Sequence, residues 1–295
     1  MELSISKAGI FNLCEMRYYL ERVEGWKLVK EPHWLAYGTG VDQLLEVLDN
    51  TDLETALSKV SEYFEDEYTQ VDVSYLLTLW KMKYISEPLP PIVLDGQPGN
   101  QFHIYKELSD DVTLNGYVDK VHMYNDQVGF TERKTTAYPI NETSAYWDKL
   151  WLDPQISAYA YGLTQSHDEP VNLCCYEVLR KPSKTVSVLF DRSRAETVEE
   201  YKENVLKLLT KPPKQTMIAR KKVFITSDRM EWWKQDHLLT AERVRRCEDN
   251  AKVDGHKAYK RNPNSCDAFG GCPFKKFCSG QCDLNRMDFI KQEKE

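Results

Sequence analysis

No apolar run in this 295-residue chain approaches the roughly 20 residues that a helix needs to cross a bilayer. The opening stretch MELSISKAGIFNLCEMRYYLERV carries charges where a secretory signal would have an apolar segment. Internal repeats and low-complexity segments are absent too, so neither a solenoid nor a biased tail accounts for the length. Disorder does not suit the composition, because 41% hydrophobic with 29% charged residues is an ordinary globular balance. These absences lead to the expectation of a soluble, intracellular (cytoplasmic) protein of one large domain or two ordinary ones.

Net positive charge is also lacking, since the formal charge is -7. The deficit is uneven, however. Residues 205–295 hold 20 Lys and Arg against 12 Asp and Glu, whereas residues 1–204 hold 19 against 34. A basic C-terminal third, with the stretches Lys211 to Lys222 and Arg243 to Arg246, offers phosphate contacts that the total conceals.

Apolar spacing predicts helices over Ser6–Val23, Leu35–Leu48, a segment after Asp52 (Leu53, Ala56, Leu57, Val60, Phe64) and Val73–Ile85. Ser4 or Ser6 would cap the first, with Cys14 on it. Proline and glycine between Glu87 and Gly99 then mark a composition boundary. Strands are expected at Phe102–Leu108, Thr113–Tyr124, Val128–Thr136, Val171–Leu179, Thr185–Phe190 and Lys222–Thr226. Further helices are expected at about Glu142–Thr164, Ala195–Leu209 and Asp228–Asp249.

Asn125-Asp126 between two strand-like runs signals a two-residue hairpin turn. That turn pairs Tyr124 with Gln127 and, continued outward, sets Asp119 opposite Glu132, with Lys134 on the same face. Two opposed carboxylates repel unless a cation lies between them. Hard oxygen ligands of this kind suit magnesium or manganese, and Lys134 would orient or deprotonate a water and steady phosphate charge. A solvent-facing hairpin with alternating core positions is the other reading of the same spacing.

Eight cysteines are unevenly spread. Cys14 stands alone near the start, Cys174 and Cys175 read as buried small hydrophobes, and Cys266, Cys272, Cys278 and Cys282 crowd together. In a cytosolic chain such crowding suggests metal before disulfide. Three thiols in the loop Cys266-Asp-Ala-Phe-Gly-Gly-Cys272-Pro-Phe-Lys-Lys-Phe-Cys278 need a fourth ligand. Cys282 would complete a local zinc site, and Cys14 is the distant candidate.

The set G-Y-V-D with Asp119 and T-E-R-K-T with Glu132 and Lys134 resembles the D...ExK core of the PD-(D/E)xK nuclease superfamily. Gln155-Ile-Ser-Ala-Tyr159 resembles the QxxxY motif of its RecB-like branch, the two side chains sharing one helix face. Ser4-Ile-Ser6 ahead of Cys14, together with Cys266, Cys272 and Cys278, is similar to the ligand set of AddB-like and CRISPR-associated exonucleases, viral ones included. The resemblance implies that these four cysteines bind a 4Fe-4S cluster that ties the chain's ends together, although the first late spacing is C-x5-C where the family more often has C-x2-C. Where that family has Gly-x-x-x-His, this chain has Gly38-Thr-Gly-Val-Asp42. Asp42 is then the third ligand for Mg2+ or Mn2+, with Glu46 the weaker candidate, on a helix whose stripe Val41, Leu44, Leu45 and Leu48 should lie against the hairpin.

The implied fold is α/β: a mixed central sheet flanked by helices, a restriction-endonuclease-like core with a helical insertion and a C-terminal iron-sulfur staple. Its implied parts are residues 1–42 with the first cysteine and first metal motif, a helical insertion at 43–98, the nuclease core at 99–192 and a helical region with the cysteines at 193–295. The implied activity is Mg- or Mn-dependent hydrolysis of DNA, as an exonuclease on single-stranded or frayed ends. Gln155 and Tyr159 would position the strand, and Tyr75, Trp80 and Tyr84 would offer stacking faces. The competing reading is a DNA-binding or scaffold protein that keeps the fold without cleavage, which Asp42 in place of histidine favours.

Overall fold

The computed structural model describes every residue except Glu31, Asp168, residues 268–270, 287–288 and 293–295, and the Arg286 side chain. The elements that position the sites are β1 (Glu2–Ser4), α1 (Ile5–Leu13), α2 (His33–Asn50), α3 (Glu67–Tyr84), β2 (Asn100–Ser109), β3 (Val112–Tyr124), β4 (Gln127–Thr136), α4 (Pro154–Thr164), β5 (Leu173–Arg180), β6 (Ile218–Phe224) and α5 (Ser227–Asp254). The architecture is mixed α/β, as the sequence predicts. Among the described residues no helix is long and apolar enough to cross a membrane.

The chain divides into two compact units. The first comprises Met1–Pro32, Ile104–Gly116 and Ser227–Glu295. In it β1 runs parallel to the start of β3, from Glu2 beside Thr113 to Ser4 beside Asn115. Ser4 caps α1 by accepting from the Lys7 N–H at 3.2 Å. The predicted continuous helix Ser6–Val23 is interrupted: Cys14 is extended (φ -163°, ψ 112°), and the chain resumes as a short helix Glu15–Tyr18 and a π-helical turn Tyr19–Val23. Backbone groups freed by the break find partners far along the chain. Met16 N–H donates to Lys260 O at 3.0 Å, and Asn262 Nδ2 to Leu13 O at 2.8 Å. Helix α5 packs on α1 through Asn12 Nδ2 to Thr240 Oγ1 at 3.3 Å, and on the short helix Glu15–Tyr18 through Arg243 Nη2 to Glu15 Oε1 at 2.8 Å. Phe11, Met16, Tyr18, Val244 and Phe274 lie in this unit's core.

The second unit comprises His33–His103 and Tyr117–Thr226. Here β3 pairs antiparallel with β4, β4 parallel with β5, and β5 antiparallel with β6. The hairpin turn lies where the sequence puts it: Asn125 and Asp126 both have positive φ, 48° and 61°, as a type I′ turn requires. Tyr124 faces Gln127, and the register continues to Lys120 beside Thr131, which is the predicted pairing. All eight residues of β5 are buried, as a strand with neighbours on both sides and helices over it should be.

Helix α2 buries Val41, Leu44, Leu45 and Leu48, the predicted stripe, and packs against β4. A Cβ on Gly38 would stand 3.2 Å from Thr135 Oγ1, so glycine lets the helix approach the strand closely. Two expectations fail in this unit. The helix expected over 142–164 is a 3₁₀ helix, Ala145–Leu152, followed by α4. Pro154 forces the residue before it out of helical geometry, and Asp153 instead caps α4 by accepting from Gln155 N–H at 2.9 Å. Thr185–Phe190 is not a strand. Ser187 turns the chain into a short 3₁₀ segment by accepting from Leu189 N–H at 3.2 Å.

Candidate active site and cysteine cavity

On β4 the side chains of Glu132 and Lys134 point the same way, since alternate residues share a face. They are in direct contact, Lys134 Nζ donating to Glu132 Oε1. Lys134 Nζ also donates to Gln155 Oε1 at 3.1 Å, and Gln155 Nε2 donates to Tyr159 Oη at 2.9 Å. One turn of α4 therefore continues the contact chain that starts on the strand. Asp119 joins from β3, its Oδ2 accepting from the Arg133 N–H at 2.6 Å. The structure thus brings together Asp119, Glu132, Lys134, Gln155 and Tyr159.

Electrostatics shows how much these positions cost in the absence of a cation. Glu132 is fully buried, and its Oε2 has no hydrogen-bond partner. Burial, then the Asp119 charge, raises its carboxyl well above the usual range, with Lys134 opposing. Asp119 is raised by burial against the pull of Lys134 and Arg133. For Lys134 burial lowers the affinity for a proton, yet Glu132 and Asp119 more than offset it, so the amine is held protonated.

Asp42 on α2 is half-buried. Its Oδ2 accepts from Gln101 Nε2 at 3.4 Å, and its Oδ1 has no hydrogen bond and lies 4.0 Å from Arg133 Nη1. Burial and then Asp119 raise its carboxyl, so Asp119 acts electrostatically on both Asp42 and Glu132. Glu46 is raised by burial and by Asp42. Among the described residues, no three His, Cys, Asp or Glu side chains stand close enough together to hold a metal ion. The donor chemistry nevertheless fits a hard divalent cation, because orphaned carboxylate oxygens on Glu132 and Asp42 are what such an ion would satisfy.

Sequence reasoning missed the opposite face of the strands. Lys120 and Arg133, both buried, share Asp49 of α2, with Lys120 Nζ at 2.8 Å and Arg133 Nη2 in direct contact. Glu177 on β5 takes Arg220 Nη2 at 2.6 Å and the Trp80 indole N–H at 3.2 Å, with Arg133 Nε at 3.6 Å. Burial opposes ionisation of Glu177, but Arg133, Lys120 and Arg220 hold its carboxyl below the usual range. Lys120 and Arg133 stand among polar and apolar neighbours alike, so the strand pattern gives no signal of their burial. Trp80 and Tyr84 are each 7% exposed and Tyr75 1%, so these rings are core and present no stacking faces. Several cations of the basic third are already paired: Arg243 with Glu15, Arg245 with Asp111, Lys222 with Glu87.

In the first unit, Cys14, Cys266, Cys272 and Cys278 line one cavity of about 330 Å³, with Arg17, Arg261 and Phe274. The break at Cys14 is what turns its thiol toward the late loop. Burial raises the Cys272 and Cys278 thiols; Arg17 opposes at the first and Arg261 at the second, and neighbouring cysteines of the set add to the rise in both. Cys282 does not line the cavity, and its Sγ meets Asp283 O at 3.5 Å. Residues 268–270 of the Cys266–Cys272 loop lie outside the described residues. Cys174 and Cys175 are fully buried, as expected of small hydrophobes.

The family model described as the PD-(D/E)XK nuclease superfamily matches residues 2–279. No curated protein matches the chain. Among solved structures, one from Eubacterium rectale described as a "Putative exonuclease" is similar with a TM-score of 0.55 at 12% identity, over 100% of this chain and 91% of that one. At that identity the likeness is one of fold.

Proposed function

Because the chain belongs to the PD-(D/E)XK nuclease superfamily, we propose that it is a Mg2+- or Mn2+-dependent deoxyribonuclease, an exonuclease on single-stranded or frayed DNA ends stabilised by a 4Fe-4S cluster. The observation that carries the reading is the buried Glu132 carboxylate with one oxygen unpartnered, Lys134 on its other oxygen and Asp119 in its field. Structural ion pairs are normally closed, whereas this group is left open to a cation.

Asp119, Glu132 and Asp42 would hold the metal, which supplies Lewis acidity toward a phosphoryl oxygen when bound. In the hydrolysis, water oxygen bonds to phosphorus and gives its proton up to solvent as the bond to the leaving sugar oxygen breaks and that oxygen takes a proton from solvent. Lys134, held protonated by its two carboxylate neighbours, contributes positive charge where the phosphoryl oxygens gain negative charge. Gln155 orients the Lys134 amine, and Tyr159 orients Gln155.

Support for the cluster is that Cys14, Cys266, Cys272 and Cys278 all line one cavity; among the described residues their thiols are not gathered as a ligand set. Four thiolates from both ends of the chain suit an iron-sulfur cluster in a reducing cytoplasm. The role assigned to it is structural, binding energy becoming folding energy. Incubation of end-labelled single-stranded DNA with the protein and Mn2+ tests the reading. Shortening that chelator stops is expected, and no shortening with either Mg2+ or Mn2+ would favour the non-catalytic alternative.

A further inference from the structure

One row crosses the second unit's sheet: Glu132 on β4 pairs with Tyr176 on β5, and Tyr176 with Lys221 on β6. Directly paired residues share a face. Lys221 therefore projects on the Glu132 face, two strand spacings or about 10 Å along the sheet. The 3₁₀ helix Ala145–Leu152 covers this row. Tyr146 shares a hydrogen bond with Tyr176, Lys149 Nζ lies 4.0 Å from the Tyr146 ring centre, and Lys221 Nζ lies 4.5 Å from the Trp147 ring centre.

Between that helix and β6 opens a cavity of about 210 Å³ whose lining includes Ser144, Trp147, Asp148, Trp151 and Lys221. A cavity of about 150 Å³ is enough to hold benzene, so a single heterocyclic ring fits. Trp147 is buried at 4% exposure, whereas Trp151 is 66% exposed. Acidic Glu142 and Asp148 also line the space. They disfavour a phosphate inside it but accept hydrogen bonds from a base, whether from a ring N–H or an amino group.

We propose that this cavity holds an unpaired DNA base one nucleotide away from the bond being cut, stacked on Trp151, while Lys149 and Lys221 receive the flanking phosphates. The proposal rests on the nuclease reading and names how that site selects a single strand. A base in a duplex keeps its ring faces in the stack and cannot enter, whereas an unpaired base supplies a ring face to the exposed indole. Stacking of this kind tolerates every base, so the subsite adds strand selectivity without sequence preference.

The test is anisotropy of a labelled oligo-dT and of a blunt duplex with the full-length protein in chelator, where nothing is cut. Trp151→Ala is expected to weaken oligo-dT binding by about 5- to 160-fold, the range for loss of one stacked base, and Trp151→Phe to retain most of it. Lys221→Ala should weaken it with a smaller salt slope. Duplex affinity should not change in Trp151→Ala. Unchanged oligo-dT affinity in Trp151→Ala overturns the subsite, as does an equal loss for duplex. Wild-type protein that binds through Trp151 but cuts nothing with Mn2+ leaves the subsite standing and removes the nuclease reading. Cutting with Trp151-independent binding does the reverse.

Discussion

The backbone N–H of Arg133 donates to Asp119 Oδ2 at 2.6 Å. The strand that carries Glu132 and Lys134 thus also holds the aspartate of the neighbouring strand, through a backbone donor. Arg133 then sends its guanidinium to the other face, to Asp49 and toward Glu177. Site geometry and the buried charges behind it share one residue.

Asp49 is the shared anion of Lys120 and Arg133, and both cations are out of water. Asp49→Ala should cost about 3–5 kcal/mol, the usual loss when a buried pair is left with an uncompensated charge. Urea unfolding with the midpoint followed by circular dichroism measures it. A change within experimental error would mean that water reaches this face.

Cys14→Ser should remove most bound iron and the brown colour from protein prepared without oxygen, and lower the unfolding temperature. Cys282→Ser should leave iron content unchanged, because its thiol does not line the cavity. Iron and zinc are both counted by elemental analysis. Stoichiometric zinc with no iron, or iron lost only in Cys282→Ser, would require a different ligand set.

Burial pushes the His122 imidazole down to about 4 from 6.5, with Lys120 adding to the fall. The folded form therefore resists a proton that the unfolded chain accepts. Stability tied to His122 is fully present above pH 6.5 and is lost as pH falls toward 4, by up to about 3 kcal/mol at 1.36 kcal/mol per unit. His122→Gln should flatten the stability–pH curve between those values relative to wild type. Curves of equal slope would show that the imidazole titrates normally.

Asp42→Asn should raise the Mn2+ concentration needed for half-maximal cleavage by about ten-fold or more, and Asp42→His should keep activity with a shift toward manganese. Arg133, 4.0 Å from Asp42 Oδ1, partly offsets the added carboxylate charge. If Asp42→Ala leaves rate and metal requirement alone, Asp42 is surface and Glu46 becomes the candidate.

The hairpin was legible because a turn of Asn125-Asp126 pins the register of both strands from Tyr124 beside Gln127 to Lys120 beside Thr131. Gln155 and Tyr159 were legible as one helical turn, and α2 as an apolar stripe. The break at Cys14 was hidden, since Lys260 and Asn262, more than 240 residues on, satisfy the backbone it frees. Pro154 did carry a readable stop signal for the helix expected from Glu142. The charges behind the site were not readable, because Lys120 and Arg133 alternate as a wet strand face would, and their partners Asp49, Glu177 and Arg220 lie on other elements.

The central claim is that the open Glu132 carboxylate takes part in metal-dependent DNA cleavage. Glu132→Gln keeps shape and removes the charge. The most direct measurement is its single-turnover rate on end-labelled single-stranded DNA in saturating Mn2+, beside wild type. A fall of at least about 10²-fold is expected, with thermal stability of the metal-free variant equal to or above wild type because one of two mutually repelling buried carboxylates is neutralised. A variant rate equal to wild type would contradict the assignment of this carboxylate and the site built around it.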